Sequence, residues 1–402
     1  MENIQLIATT GFGIEAVTAR ELKDLGYRDQ KVENGRVTYT SDLKGICRSN
    51  LWLRTAERIL IKIGEFKALS FEELFEGTKA LPWEDWIPVD GTFPVEGKSV
   101  DSQLFSVSDC QAIVKKAVVE RLKQKYKIDW FEETGPRYRI EVALLKDIVC
   151  LTIDTTGLGL HKRGYRTLNA KAPIKETMAA TMILLSYWKH DRVLWDPFCG
   201  SGTIPIEAAL IGLNIAPGLN RSFTAEDWGL IPGDDWLEAR KEAREKMTME
   251  KKLRIHGTDI DEEVIGIARF HAKQAGVEDY IHFQRRPMEE VKSRYEYGVI
   301  ITNPPYGERL NELEDLEKLY KDMGKIFRQL RNWSYYIISS IQKFEKLFGK
   351  PSDKRRKLFN GMIQCNLYQY FGPAPKRPPS HGPNAVKNQE VIGETDSTEE
   401  DV

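Results

Sequence analysis

The chain has 402 residues, 41% of them hydrophobic and 30% charged, and its 59 Lys plus Arg stand against 60 Asp plus Glu for a formal net charge of −1. That length exceeds one ordinary core and that composition excludes a wholly disordered chain; the charge balance excludes a global basic field and leaves any nucleic-acid surface to local patches. The 5 cysteines are scattered without a C-x-x-C pair, which argues against a disulfide framework or a zinc site, and no apolar run approaches the roughly 20 residues that span a bilayer. We therefore expect no metal, no membrane insertion and a reducing, cytoplasmic setting.

Taken in order, the first segment alternates short apolar strands with helical periodicity: Ile4 to Ala8, Ile14 to Leu25 stopped by Gly26, Arg36 to Tyr39 and Ile59 to Ile63. This reads as a small α+β unit. A second group follows, with a strand near Thr92 to Val95, a helix from Asp109 to about Tyr126, and strands over Tyr138 to Leu145 and Ile148 to Ile153 turned by Lys146-Asp147. From Asn169 the rhythm becomes regular βα units, with strands at Val193 to Trp195, Arg254 to Thr258, Ile281 to Gln284, Val299 to Thr302 and Tyr335 to Ser339. That alternation predicts a parallel sheet covered on both faces. Leu358 to Phe371 reads as an antiparallel hairpin turned by Asn360-Gly361, and the Pro, Gly, Ser and acidic content beyond Gly372 predicts an unstructured tail.

Between the halves, Thr155 to Arg166 carries three glycines together with His161, Lys162, Arg163, Tyr165 and Arg166. It reads either as a linker or as a segment whose cations and tyrosine meet phosphates and bases.

Asp196-Pro197-Phe198-Cys199-Gly200-Ser201-Gly202-Thr203 places a glycine-rich turn at the carboxyl end of a strand, where open α/β sheets bind ligands. A dinucleotide loop needs a third glycine where Pro205 stands, and a phosphate loop needs G-K-[ST], which is absent. An acid leading the loop suits a ligand bearing an ammonium and a sulfonium, and Asp196 is placed to take the amino group of a methionine moiety. Asp259 ends the next strand and can accept ribose hydroxyls; Asp261 opens the following helix, either as its cap or as a further ligand.

Thr302-Asn303-Pro304-Pro305-Tyr306-Gly307 follows an apolar strand and is the most informative stretch. Alone it could be a proline-stiffened turn. Yet two prolines remove backbone donors and leave carbonyls as acceptors, which is what an exocyclic amine needs. The Asn303 carboxamide oxygen and the Pro304 carbonyl can each take one N–H, directing the nitrogen lone pair at a methyl donor, while Tyr306 can stack on an extruded base.

These residues resemble the class I (Rossmann-like) methyltransferases, and specifically the subgroup that joins a THUMP domain to an RNA methylase domain. The likeness is to bacterial 23S ribosomal RNA guanine-N2 methyltransferases, members of which also carry the label of N6-adenine-specific DNA methylases. It implies an α/β fold with a mostly parallel seven-stranded sheet, preceded by an α+β ferredoxin-like and THUMP region. The implied segments are 1–65 ferredoxin-like, 66–156 THUMP, 157–373 methyltransferase and 374–402 disordered tail.

The cofactor implied is S-adenosyl-L-methionine. The family's first motif falls on Asp196 to Gly202, assigning Asp196, Phe198, Cys199, Gly200 and Gly202 to it; Asp259 and Asp261 follow, and its catalytic tetrapeptide falls on Asn303, Pro304, Pro305 and Tyr306. The upstream segment Ala172 to Thr177 contributes Lys175, Glu176 and Thr177 to the methionine side. Where relatives carry an acid after the third strand to bind adenine, this chain has Arg285-Arg286-Pro287-Met288, so the backbone near Met288 takes that role by expectation. Lys98, Lys115, Lys116, Arg163 and Arg166 are the candidate RNA contacts, the two helix lysines reading equally as a solvated face.

The resemblance makes the activity N2-methylguanosine formation in ribosomal RNA. The rivals are adenine-N6 methylation of DNA or RNA, because N-P-P-Y serves either amine, and a catalytically silent RNA-binding assembly factor.

Overall fold

The computed structural model describes residues 3–168, 174–306, 313–361 and 363–375, and its strands form two seven-stranded sheets. The first uses β1 (Ile4–Thr10), β2 (Gln30–Glu33), β3 (Arg36–Ser41), β4 (Ala56–Lys67), β5 (Val95–Val100), β6 (Ile140–Leu145) and β7 (Ile148–Asp154), in the order β2-β3-β1-β4-β7-β6-β5. Helices α1 (Glu15–Asp24), α2 (Leu43–Trp52), α3 (Phe71–Lys79) and α4 (Val107–Tyr126) accompany it. The sequence reads as two successive α+β groups, but the structure fuses them. β4 is 12 residues long; its first half pairs with β1 and its second half, from Leu60 to Lys67, pairs antiparallel with β7.

Local chemistry sets the details. Lys146 and Asp147 take φ values of 51° and 64°, the left-handed pair that a two-residue hairpin turn between β6 and β7 requires. The strand expected near Thr92 to Val95 lies later, at Val95–Val100, and Thr92 makes only an isolated bridge to Arg137. Pro94 has no N–H to give a ladder, so the strand starts after it.

The second sheet uses β8 (Leu194–Asp196), β9 (Ile255–Asp259), β10 (Ile281–Arg285), β11 (Val299–Thr302), β12 (Ser334–Ser339), β13 (Lys354–Asn360) and β14 (Ile363–Tyr370), in the order β10-β9-β8-β11-β12-β14-β13. The first five are parallel, and β14 and β13 add antiparallel at one edge. Helices α5 (Glu176–Leu185), α6 (Thr203–Gly212), α7 (Gly233–Glu245), α8 (Glu262–Gln274), α9 (Leu313–Phe327) and α10 (Phe344–Phe348) go with it. Every residue of β11 is buried, as a parallel strand covered on both faces demands.

An ionic seam joins the two halves. Arg163 is 3% exposed; its Nη1 donates to the Leu160 carbonyl and its Nη2 to the Arg54 carbonyl, each at 2.6 Å, and Nε and Nη2 reach Glu207 of α6 at 3.4 Å. The Tyr165 hydroxyl donates to the same carboxylate at 3.1 Å. Arg163 therefore spends its donors inside the fold, and its candidacy as an RNA contact is corrected: it is the strut between the loop that joins α2 to β4 and α6. Removing one member of a buried pair strands the other charge, which typically costs about 3–5 kcal/mol. We expect Glu207→Ala to lower the unfolding free energy by that order in urea titrations; a loss under about 1 kcal/mol would show the pair to be dispensable.

Candidate active site

The order of the second sheet places a crevice. From β8 the chain passes outward to β9 and β10, then returns to β11 on the other flank of β8, and ligands of open α/β sheets sit outside the strand ends at that reversal. Asp196 ends β8 and is 1% exposed; its Oδ1 accepts the Thr302 hydroxyl of β11 at 2.6 Å and the Phe198 N–H at 3.2 Å. Burial pushes its carboxyl up to about 7 against the pull of those two donors, with Asp259 adding to the rise. Asp259 ends β9, and its Oδ2 accepts the Gly200 N–H at 3.0 Å while Oδ1 accepts the Asp261 N–H at 3.2 Å. The tips of β8, β9 and β11 are thus tied to one another by side-chain hydrogen bonds.

The loop between β8 and α6 rides on β9. The Cys199 N–H donates to the Thr258 carbonyl at 3.0 Å, and the Gly202 N–H to the Cys199 carbonyl at 2.8 Å. Its two glycines differ in purpose. Gly202, at φ 86°, packs so tightly that a Cβ would stand 3.0 Å from Ala268 and from Phe283, whereas Gly200, at φ 51°, faces open space. The loop, Asp196 to Thr203, holds no Lys or Arg. Two carboxylates, an open glycine and no cation form an acceptor set for an ammonium and ribose hydroxyls, with negative charge that suits a sulfonium and not phosphates.

Asn303 and Tyr306 are half-buried, Pro304 is buried and Pro305 exposed. The Tyr306 hydroxyl donates to Asn303 Oδ1, and burial raises its pKa so that it stays a neutral donor. The Tyr320 hydroxyl of α9 donates to the Pro305 carbonyl at 2.8 Å and meets Ser339 Oγ at 3.3 Å, fixing the loop from behind. The Pro305 carbonyl and Asn303 Oδ1 each take a tyrosine hydroxyl, which leaves the second acceptor position of the Asn303 oxygen and the Pro304 carbonyl as the candidate acceptors of the tetrapeptide. Gly307 lies outside the described residues, as do Ala172 and Pro173 of the upstream segment.

The remaining candidates divide. Lys175 and Thr177 converge on Glu57: Lys175 Nζ is 3.7 Å from Oε2, and the Thr177 hydroxyl donates to Oε1 at 2.9 Å. Although burial opposes it, contact with His161, Lys175 and Thr177 holds the Glu57 carboxyl down to about 2. Glu176 is buried and pairs with Arg166 at 3.1 Å, so a residue expected on the cofactor and one expected on RNA meet each other. Asp261 caps α8, accepting the Glu263 N–H at 2.9 Å. Met288 is buried, with its carbonyl receiving the Val291 N–H at 3.1 Å. Of the lysines, Lys98 is paired with Glu141 at 2.7 Å and Lys115 with Glu133 at 2.5 Å, while Lys116 is exposed.

Sequence reasoning missed Thr302, Tyr320 and His271. The signal for Thr302 was legible: a hydroxyl closes an otherwise apolar strand beside the motif. His271 sits on the buried face of α8, its Nδ1 3.2 Å from the Ser201 carbonyl while its Nε2 accepts the Leu168 N–H at 3.4 Å. Burial lowers its pKa, and these partners assign a neutral ring with the proton on Nδ1. A lone histidine among apolar positions carries no such pattern.

Three family descriptions match consecutive stretches: an RlmL ferredoxin-like domain over residues 5–60, a THUMP domain over 68–154 and an RMKL-like methyltransferase domain over 163–369. The chain belongs to the RMKL-like methyltransferases. YpsC of Bacillus subtilis (strain 168), whose name assigns it provisionally to the RNA methyltransferases, is 52% identical over 373 residues, covering 92% of this chain and 97% of its own. The ribosomal RNA large subunit methyltransferase K/L of Psychromonas ingrahamii is 33% identical over 377 residues, covering 92% of this methyltransferase, which spans 50% of that longer protein. Among solved structures, SMU.472, provisionally called a methyltransferase and crystallised with SAH, is 45% identical with a TM-score of 0.89 over 94% of this chain and 100% of its own.

Proposed function

We propose that this methyltransferase transfers the methyl group of S-adenosyl-L-methionine to the exocyclic N2 of a guanine in 23S ribosomal RNA. The observation that supports the reading is the hydrogen bonding that joins the ends of β8, β9 and β11, with Asp196 and Asp259 the last residues of their strands and Asn303 the residue that follows β11. Bound there, the cofactor supplies an electrophilic methyl on a sulfonium. Asp196 holds the methionine ammonium, the open backbone at Gly200 admits the ligand, and Asp259 accepts the ribose hydroxyls with lone pairs beyond those given to Gly200 and Asp261. Ile260, 67% exposed between the two acids, offers apolar surface to the adenine ring.

On the substrate side Asn303 Oδ1 and the Pro304 carbonyl accept the two N–H bonds of the amine, disfavouring conjugation of its lone pair with the ring and aiming it in line with the methyl. The carboxamide oxygen has two acceptor positions, so the Tyr306 hydroxyl can keep its bond or yield it as the base enters. The target nucleotide must leave its stack to reach this pocket.

The choice of RNA leans on the THUMP domain and on the ribosomal RNA activity in the names of relatives; the choice of guanine N2 leans on the family likeness and is the part most directly open to test. The functional units we infer are 1–65, 66–156 and 157–373. Labelled methyl transfer to undermodified ribosomal RNA, followed by nucleoside analysis, is expected to yield N2-methylguanosine. Recovery of N6-methyladenosine would move the reading to the adenine amine, and no transfer together with no binding of S-adenosylmethionine would leave a silent RNA binder.

A further inference from the structure

The β13–β14 hairpin presents a surface that the reaction just described does not use. Along β13 the run Lys354-Arg355-Arg356-Lys357 alternates its side chains across the strand, so Arg355 and Lys357 share one face. Register sets Arg355 opposite Tyr368 and Lys357 opposite Asn366 on β14, with Gln364 next along that face. These residues, with Gln342 from the turn between β12 and α10, line an open cavity of about 580 Å³.

Its position follows from the ladder. Thr302 pairs with Ile337, Ile337 with Tyr368 and Tyr368 with Arg355, so Arg355 lies in one row with the last residue before Asn303. Three strand spacings separate them, about 14 Å, and Lys357 stands two residues further toward the edge where Asn303 emerges. The charge there is loosely held. Arg355 is 56% exposed and 3.9 Å from Glu345, the acid facing it, whose Oε1 already accepts the Ser352 N–H at 2.7 Å. Lys357 is exposed, with its ammonium 5.3 Å from the centroid of the Phe359 ring. Phe359 in turn meets Phe12, which is 58% exposed, edge-on at 6.2 Å.

We propose that this hairpin face is a second RNA-binding surface, gripping the phosphodiester backbone of the strand that leads away from the flipped nucleotide. The inference rests on the RNA reading above. Two loosely paired cations meet phosphates, the amides of Gln364 and Asn366 can both donate and accept, and the exposed Phe12 ring against the half-buried Phe359 beside Lys357 adds the aromatic surface of a single-strand platform. An open cavity of this size fits a running strand better than a small enclosed anion.

The test is anisotropy of the full chain with an end-labelled single-stranded RNA of mixed sequence, titrated over a salt series. For R355Q/K357Q we expect affinity at low salt to fall at least about tenfold and the slope of log K against log salt to drop by about 1.4, that is, about 0.7 for each of two phosphates. K354Q, on the opposite face of the same strand, is expected to stay near wild type, and calorimetry with S-adenosylmethionine should give equal affinity for all three, showing that each is folded. Equal slopes for wild type and R355Q/K357Q, or an equal loss in K354Q, would overturn the clamp while leaving the RNA reading intact. A wild-type chain that binds the cofactor but no RNA would instead overturn that reading and the clamp with it.

Discussion

Asn303→Ala is expected to reduce turnover by roughly 10²–10³-fold or more while changing S-adenosylmethionine affinity by less than about tenfold, as for an interaction made mainly in the transition state. The reasoning is local. The Asn303 carboxamide bonds neither Asp196 nor Asp259; its oxygen receives the Tyr306 hydroxyl, within the tetrapeptide itself. Truncation therefore removes the acceptor proposed for the amine without touching the bonds that join β8, β9 and β11. Single-turnover rates at saturating cofactor and RNA give the chemical step, and calorimetry gives the cofactor affinity. Wild-type rates would remove Asn303 from the chemistry, and a large loss of cofactor affinity would make it part of the cofactor pocket.

How far the site could be read from sequence depended on whether the information was local. The βα rhythm gave the parallel strands to within about a residue at each end: Val299 to Thr302 is found as expected, and Val193 to Trp195 is found as Leu194–Asp196. Glycine loops and prolines announce themselves because their backbone constraints are intrinsic to the residue. Pairing between distant segments is not intrinsic to any residue. Nothing in Ala56–Lys67 says that a single strand will join two α+β groups, and the composition of Thr155 to Arg166 could not distinguish a wet cationic bridge from Arg163 sealed against Glu207. The same limit hid Tyr320, whose hydroxyl reaches Pro305 only because α9 folds back over β11 and β12.

Asp196→Asn is expected to stabilise the ligand-free protein above neutral pH and to destroy its affinity for S-adenosylmethionine. Burial lifts the Asp196 carboxyl from its ordinary 3.8 to about 7 in the folded chain. Below pH 4 both folded and unfolded states hold the proton and the group is silent. Between 4 and 7 the unfolded state releases a proton that the folded state keeps, so stability falls as pH rises, and above 7 the full penalty of an ionised buried carboxylate stands. A shift of that size corresponds to a few kcal/mol, on the order of 2–4 after allowance for relaxation of the site. Asparagine keeps an oxygen for the Thr302 hydroxyl and never ionises, so its advantage in unfolding free energy should be near zero at pH 4 and grow through 7. An ammonium in the crevice reverses the preference. It favours the carboxylate, so wild-type affinity should climb by up to tenfold per pH unit toward 7 and then level, with proton release below 7 detectable by calorimetry in buffers of different ionisation enthalpy. The variant should bind at least about a hundredfold more weakly at pH 8, as expected when a buried charge partner is lost, and show no such climb. Should Asp196→Asn instead be less stable than wild type at pH 8, or keep wild-type affinity there, the buried acid is a structural tie to Thr302 and the cofactor's amine is held elsewhere.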